Sequence, residues 1–172
     1  MRLTADFYHR DVLHVAPDLI GKILVCKNAL ARSYSITEVE AYRGLEDQAS
    51  HARFGKTSRN AVMFQRGGRI YVYLIYGMYW MLNVVTGPEN LPQAILIRGL
   101  EGLDGPGKLT RELGIDGSFY GEDLETSGRI WIEDSPDTPA ILQTTRQGID
   151  YAGEPWKSKP WRFIRAPQPQ TS

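Results

Sequence analysis

Hydrophobic positions along the chain gather into short runs separated by polar, glycine-rich segments, and one run stands out because no charge interrupts it. It extends over sixteen residues from Ile70 to Val85, IYVYLIYGMYWMLNVV, and is dominated by β-branched and aromatic side chains. That is short of the roughly 20 apolar residues of a membrane helix, and its aromatics and central glycine argue the same way. The composition predicts two strands that reverse near Tyr76-Gly77-Met78, with Tyr76 at or near an exposed tip. Two readings of such a hairpin stand side by side. It is a core element whose tyrosines fill space, or its tip aromatic is a wedge for entering a stacked polymer.

The remaining pattern predicts short elements. Thr4 is placed to cap a helix over Asp6 to Leu13, and Pro17 to open a second one that Gly21 ends. Lys22 to Asn28 and Tyr34 to Tyr42 read as strands joined by a turn. Gly44 to Gly68 reads as a long polar loop with a short helix near Asn60 to Phe64, and long loops in compact domains tend to be functional. Gln93 to Gly99 reads as a strand. Gly105 to Lys108 turns into a helix from Leu109 to Leu113 closed by Gly114, and strands follow at Ile130 to Glu133 and Ile141 to Thr145. Strands outnumber helices and are joined by hairpins or irregular loops. The expected fold is therefore α+β: a single domain over 1–165, with a mainly antiparallel curved sheet, flanking short helices and a protruding hairpin. Residues 166–172 are expected to form a disordered tail.

Composition narrows this only a little. At 172 residues one domain is expected, and 42% hydrophobic with 23% charged residues is ordinary for a soluble globular protein. No signal peptide is legible at the start. The single cysteine, Cys26, excludes a disulfide framework and a CxxC metal site and fits a reducing cytoplasm. His9 and His14 are poorly spaced as ligands, and neither metal nor cofactor is expected.

Charge changes the picture more. The formal net charge is zero, yet Gln48 to Pro88 contains no acid while carrying Arg53, Lys56, Arg59, Arg66 and Arg69. Glu101 to Asp137 reverses this, with ten acids against Lys108, Arg111 and Arg129. A chain so partitioned can present one positive face for a polyanion, unless folding scatters the charges.

Candidate chemistry centres on Thr37 to Tyr42. Strand alternation puts Glu38, Glu40 and Tyr42 on one face, either as an acid/base site or as an ordinary solvent-facing edge. A buried Arg98 needs a carboxylate, and Glu40 is a fitting partner. Gly102 to Lys108 satisfies GxxxxGK, but Leu109 stands where a phosphate-binding loop needs Ser or Thr, and too little chain follows for a nucleotide-binding α/β domain. A tight turn that offers helix N–H groups and Lys108 to a phosphate is the better reading. No Pro-Cys-x-x-Cys is present, which excludes a zinc base deaminase.

Many short motifs in order resemble one family, the alkyladenine (3-methyladenine) DNA glycosylases. They include Leu19-Ile-Gly21, Thr37-Glu-Val-Glu-Ala-Tyr42, Glu46-Asp47 with Ala49 and His51, Met63-Phe64, and Tyr71-Val-Tyr73 with Ile75-Tyr-Gly-Met-Tyr79. Asn83, Leu96-Ile-Arg98, Gly105-Pro-Gly-Lys-Leu109, Gly148-Ile149, Ala152-Gly-Glu154 and Lys159-Pro-Trp-Arg-Phe163 complete the set. The resemblance implies a monofunctional purine DNA N-glycosylase without lyase activity, acting as a monomer on double-stranded DNA that contains damaged purines. It implies Glu40 as the general base toward water and Arg98 as its helper. It further implies base stacking by Tyr42 against His51 and Tyr73, a pocket wall at Asn83, and base-edge reading by the backbone at Ala49 and His51. Tyr76 matches the intercalating residue, with Met78 and Tyr79 beside it. Arg53, Lys56, Arg59 and Lys108 are the expected DNA-backbone contacts. The chain departs from the family where only Gly99-Leu-Glu-Gly-Leu-Asp104 separates Arg98 from Gly105, a segment usually longer and often basic. The alternative function is a non-catalytic binder of damaged DNA.

Overall fold

The computed structural model describes residues 1–28 and 30–171. Two short helices come first, α1 (Ala5–Tyr8) and α2 (Val12–Leu19). The continuous helix expected over Asp6 to Leu13 is broken because Asp11 caps a new helix, its carboxylate accepting from the Leu13 N–H at 2.9 Å. Pro17 consequently lies inside α2 rather than opening it. The helix tolerates this because Val12, Val15, Ala16 and Leu19 are all buried on its inner face.

Nine strands form one sheet among the described residues, and every ladder in it is antiparallel. They are β1 (Ile23–Lys27), β2 (Ala31–Arg43), β3 (Ile70–Ile75), β4 (Tyr79–Val85), β5 (Gln93–Leu100), β6 (Leu103–Asp104), β7 (Ile130–Glu133), β8 (Ile141–Thr144) and β9 (Arg162–Arg165). The turn expected between β1 and β2 falls on Ala29, which lies outside the described residues. Strand β2 is the spine of this curved sheet. Its first half pairs with β1, and its second half is held between β5 and β9. A register shift at Ile36 to Val39 marks a bulge, the device by which a strand bends and re-aims its side chains. β2 is therefore no solvent-facing edge. β6 and β9 carried no legible signal, β6 because it is two residues long and β9 because two arginines flank only Phe163-Ile164. The short link after Arg98 is closed by β5 turning back directly into β6, with Leu100 opposite Leu103.

The third helix, α3 (Pro106–Leu113), starts earlier than expected, with Pro106 in its first turn, where proline's missing N–H costs nothing. Gly114 ends it in the left-handed conformation at φ 66°. One face of the sheet and the helices share the main core, in which Val12, Leu19, Val39, Ile70, Val72, Leu82, Ile95, Ile97 and Leu109 are buried. The other face carries a smaller cluster of Ala52, Val62, Met63, Tyr71, Val85 and Ala94. Alternation along β3 and β5 divides them: Ile70 and Val72 face the core, while Tyr71 and Tyr73 face the second side. Residues 166–171 contain no helix or strand, and Ser172 lies outside the described residues.

Candidate active site

The sheet registers place the chemistry in a row. Glu40 of β2 stands opposite Leu96 of β5, Leu96 opposite Asn83 of β4, and Asn83 opposite Tyr71 of β3. Above this row opens a cleft lined among others by Tyr42, Ala49, His51, Tyr73, Asn83 and Tyr151. Four separate stretches of sequence thus meet on the face opposite the main core. Glu40 and Arg98 do not line the cleft itself; Glu40 is joined to it through the hydroxyl of the lining residue Tyr42, and Arg98 bonds Glu40.

Glu40 is fully buried. Its Oε2 accepts the Gln147 N–H at 2.6 Å, and its Oε1 accepts the Tyr42 hydroxyl at 3.1 Å. Arg98 approaches the same Oε1 at 3.4 Å and turns its second amino group to Gln147 Oε1 at 2.7 Å. Burial raises the Glu40 pKa above the ordinary carboxylate value, and Arg98, the Gln147 N–H and the Tyr42 hydroxyl oppose this. A carboxylate offers about four acceptor positions. Three are occupied here, by the Gln147 N–H, the Tyr42 hydroxyl and Arg98. Glu38, the other acid of the strand, is taken by Arg162 at 2.7 Å and so balances Arg98 from the far side at 3.7 Å.

The aromatic walls are fixed by hydrogen bonds. His51 Nδ1 lies 3.0 Å from the Tyr71 hydroxyl, and the His51 ring is 4.3 Å from that of Tyr73. Burial, helped by Arg59 and Arg53, lowers the His51 pKa to about 4, so the ring is neutral at pH 7. Burial also pushes the Tyr73 pKa up to about 12, so its hydroxyl stays protonated. Asn83 commits its amide nitrogen to the Tyr71 and Met81 carbonyls at 3.2 and 3.3 Å and is a fixed part of the wall. The Ala49 N–H is bound by Asp47 Oδ1 at 3.1 Å, and the Ala49 carbonyl accepts from Tyr151 at 3.0 Å.

A buried ion pair ties the two loops around the cleft together. Arg146 and Asp47 are both fully inaccessible, bonded at 2.6 and 3.0 Å. The Arg146 guanidinium also lies between the rings of Tyr42 and Trp161, at 4.9 and 5.0 Å from their centroids. Arg146 immediately precedes Gln147, so this anchor determines where the N–H that reaches Glu40 sits. Tyr71, Arg146, Gln147 and Tyr151 were not among the expected site residues. Alternation with Tyr73 could have found Tyr71. The other three sit on a loop more than 100 residues from Glu40, with no local pattern to mark them.

Strands β3 and β4 form the expected hairpin, joined by the three residues Tyr76 to Met78, and the Met78 N–H reaches Ile75 O at 3.0 Å. Tyr76 and Gly77 both have positive φ, 51° and 65°, a conformation that glycine adopts freely and a tyrosine rarely does. Tyr76 is 87% exposed and Met78 62%. Tyr79 is turned back onto α3, its ring so close to Gly107 that an added Cβ would sit 2.9 Å away. Arg59 bonds Leu74 O at 3.2 Å and lies over Tyr73, while Arg53 lies over Tyr151, so both stand at the cleft. Lys56 stands 5.9 Å from the Phe64 ring, and Lys108 is exposed on the first turn of α3.

The family model described as methylpurine-DNA glycosylase matches residues 6–104 and 102–169. The chain belongs to the methylpurine-DNA glycosylase family. A relative from Anaeromyxobacter sp. (strain Fw109-5), named "Putative 3-methyladenine DNA glycosylase", is 44% identical over 95% of this chain and 88% of its own length. Relatives with the same name from Methanocella arvoryzae and Sodalis glossinidius are 41% and 43% identical, covering 99% and 94% of this chain and 95% of each relative. Among the described residues no helix is long and apolar enough to cross a membrane, and no group of three side chains could hold a metal ion.

Proposed function

We propose that this family member is a monofunctional DNA N-glycosylase that flips alkylated or deaminated purines out of duplex DNA and hydrolyses the N-glycosidic bond. The observation that carries the reading is the fully buried Glu40, held by the Gln147 N–H, the Tyr42 hydroxyl and Arg98 beside an aromatic cleft bordered by basic side chains. A purine cannot reach this cleft while stacked in a helix, so it must be extruded at a cost of a few kcal/mol. Tyr76 offsets part of that cost by filling the vacated stack, with Met78 beside it and Tyr79 supporting the turn from α3. A tyrosine held at positive φ at a solvent-exposed tip is strained and unpartnered in the free protein. Stacking on bases would supply its partner.

The flipped purine lies between Tyr42 on one side and His51 and Tyr73 on the other. Such platforms accept many purines at roughly 1–3 kcal/mol per stacked base. Glu40 takes a proton from water as its oxygen attacks C1′, and the C1′–N bond electrons leave with the base. Arg98 orients Glu40 and the water. Arg53, Lys56, Arg59 and Lys108 neutralise phosphates. Among the described residues the partners of Glu40 are Tyr42, Arg98 and Gln147 and include no lysine, so the product is an intact strand with an abasic site. The chain acts as a monomer, in the cytoplasm where its DNA is found.

The test is base release from duplexes that carry one hypoxanthine, ethenoadenine or methylated purine, with wild type compared with Glu40→Gln. Wild type should release base and leave strands that break only after hot alkali, and Glu40→Gln should fold and release none. Release by the variant, or strand breaks without alkali, would overturn the mechanism.

A further inference from the structure

Tyr76 is not the most unusual aromatic outside the cleft once the loop before β3 is considered. Phe54 is 84% exposed, next to Gly55 at φ 90°. A large apolar side chain so placed contributes nothing to the core, yet the loop beneath it is built rather than slack. The Asn60 amide bonds the carbonyls of His51 and Gly55, both at 3.1 Å, and its Oδ1 accepts the Thr57 N–H at 2.7 Å. Asn60 and Ala52 are buried under the loop. The Gly55 N–H closes a turn onto Ala52 O at 2.9 Å.

One face of the Phe54 ring is covered by Arg53, whose guanidinium carbon is 4.5 Å from the ring centroid and 5.3 Å from that of Tyr151. Tyr151 lines the cleft, so Phe54, Arg53 and Tyr151 form a stack that leads from solvent to the cleft mouth. From the same loop Arg59 bonds the Leu74 carbonyl of the hairpin strand β3 at 3.2 Å. The two exposed aromatics, Phe54 and Tyr76, are therefore held by one loop and one hairpin that Arg59 ties together.

We infer that Phe54 is a second nonpolar probe of the duplex, packing against the sugar and base edge of a nucleotide that flanks the flipped one, while Arg53 and Lys56 hold the phosphates beside it. The inference rests on the DNA-binding reading above. Its occupant is DNA because the 41 residues from Gln48 to Pro88 that surround Phe54 in sequence contain five cations and no acid. A second copy of this chain docked through the same loop would set like charges against each other. Pre-organisation of the loop lowers the ordering cost of binding, which is what a probe requires.

Phe54→Ala and Phe54→Leu test this against wild type by fluorescence anisotropy on a hypoxanthine-containing duplex and by single-turnover base release across enzyme concentrations. The alanine variant should bind about 5- to 100-fold more weakly, as loss of one aromatic–nucleotide contact predicts. Leucine should recover part of this. The salt dependence should keep its slope, because no phosphate contact is removed. Melting temperature should be unchanged. Affinity and half-saturating concentration within twofold of wild type would overturn the inference, as would a change confined to self-association in sedimentation. Should wild type release no base, the glycosylase reading fails, while the anisotropy series still decides the role of Phe54.

Discussion

Replacing Asp47 by asparagine is the sharpest test of how the cleft is held. Asp47 uses its full acceptor capacity: Oδ2 takes Arg146 and the Arg43 N–H at 2.6 and 2.9 Å, and Oδ1 takes Arg146 and the Ala49 N–H at 3.0 and 3.1 Å. Asparagine keeps the shape. It turns one acceptor into a donor that faces other donors, and it leaves a fully buried guanidinium without a counter-charge. Breaking a buried pair from one side costs about 3–5 kcal/mol, a large part of the roughly 5–15 kcal/mol that holds a domain together. Urea unfolding at pH 7 should show this loss as a lower midpoint at unchanged slope, and melting should fall by about 6–20 °C. The double variant Asp47→Leu/Arg146→Met removes both charges and should lose less than Asp47→Asn alone. A single-variant loss below about 1 kcal/mol, or a double variant worse than the single, would refute the view that this ion pair clamps the two loops.

Other consequences of the geometry are as direct. Because burial raises the Glu40 pKa, base release should fall with acidification through a midpoint above the ordinary carboxylate value of 4.5, seen in a pH profile of single-turnover rates. The stability sign is opposite: the fold binds the Glu40 proton more tightly than the unfolded chain does, so Glu40 favours the fold most at acid pH and least once ionised. Glu40→Gln should therefore melt no lower than wild type at pH 7. Gln147→Ala keeps the N–H on Glu40 but frees Arg98, so it should lower the single-turnover rate about tenfold with little change in duplex affinity; an unchanged rate would remove Gln147 from the site. Tyr76→Ala should reduce flipping, read by fluorescence of a 2-aminopurine beside the lesion, while leaving melting within about 1 °C, since the side chain is 87% exposed.

Much of the architecture was legible locally. Strand β3 shows its two faces in the alternation of Ile70 and Val72 with Tyr71 and Tyr73. The reversal at Tyr76-Gly77 follows from glycine's tolerance of positive φ, as does the end of α3 at Gly114, whereas the helix starts at Pro106, three residues before the Leu109 expected. Alternation likewise put Glu40 and Tyr42 on one face of their strand. Local signals misled where two of them competed: the capping carboxylate of Asp11 outweighed continuity of the helix pattern and split it in two.

Alternation along a strand says which residues share a face, but not whether that face is wet, because burial depends on what the neighbouring strands and loops bring to it. Whether Glu38 or Glu40 was the buried acid could not be read from β2. Pairing with β5 and β9, the bulge between Ile36 and Val39 and the Gln147 N–H decided it. The buried clamp of Asp47 and Arg146 joins residues 99 positions apart, each in an irregular loop without periodicity. The sequence by itself determined seven of the nine strands, the hairpin, the basic stretch and the family. Only the tertiary structure decided which carboxylate loses its water and which loops close over it, because desolvation is a property of the packed assembly and not of any segment.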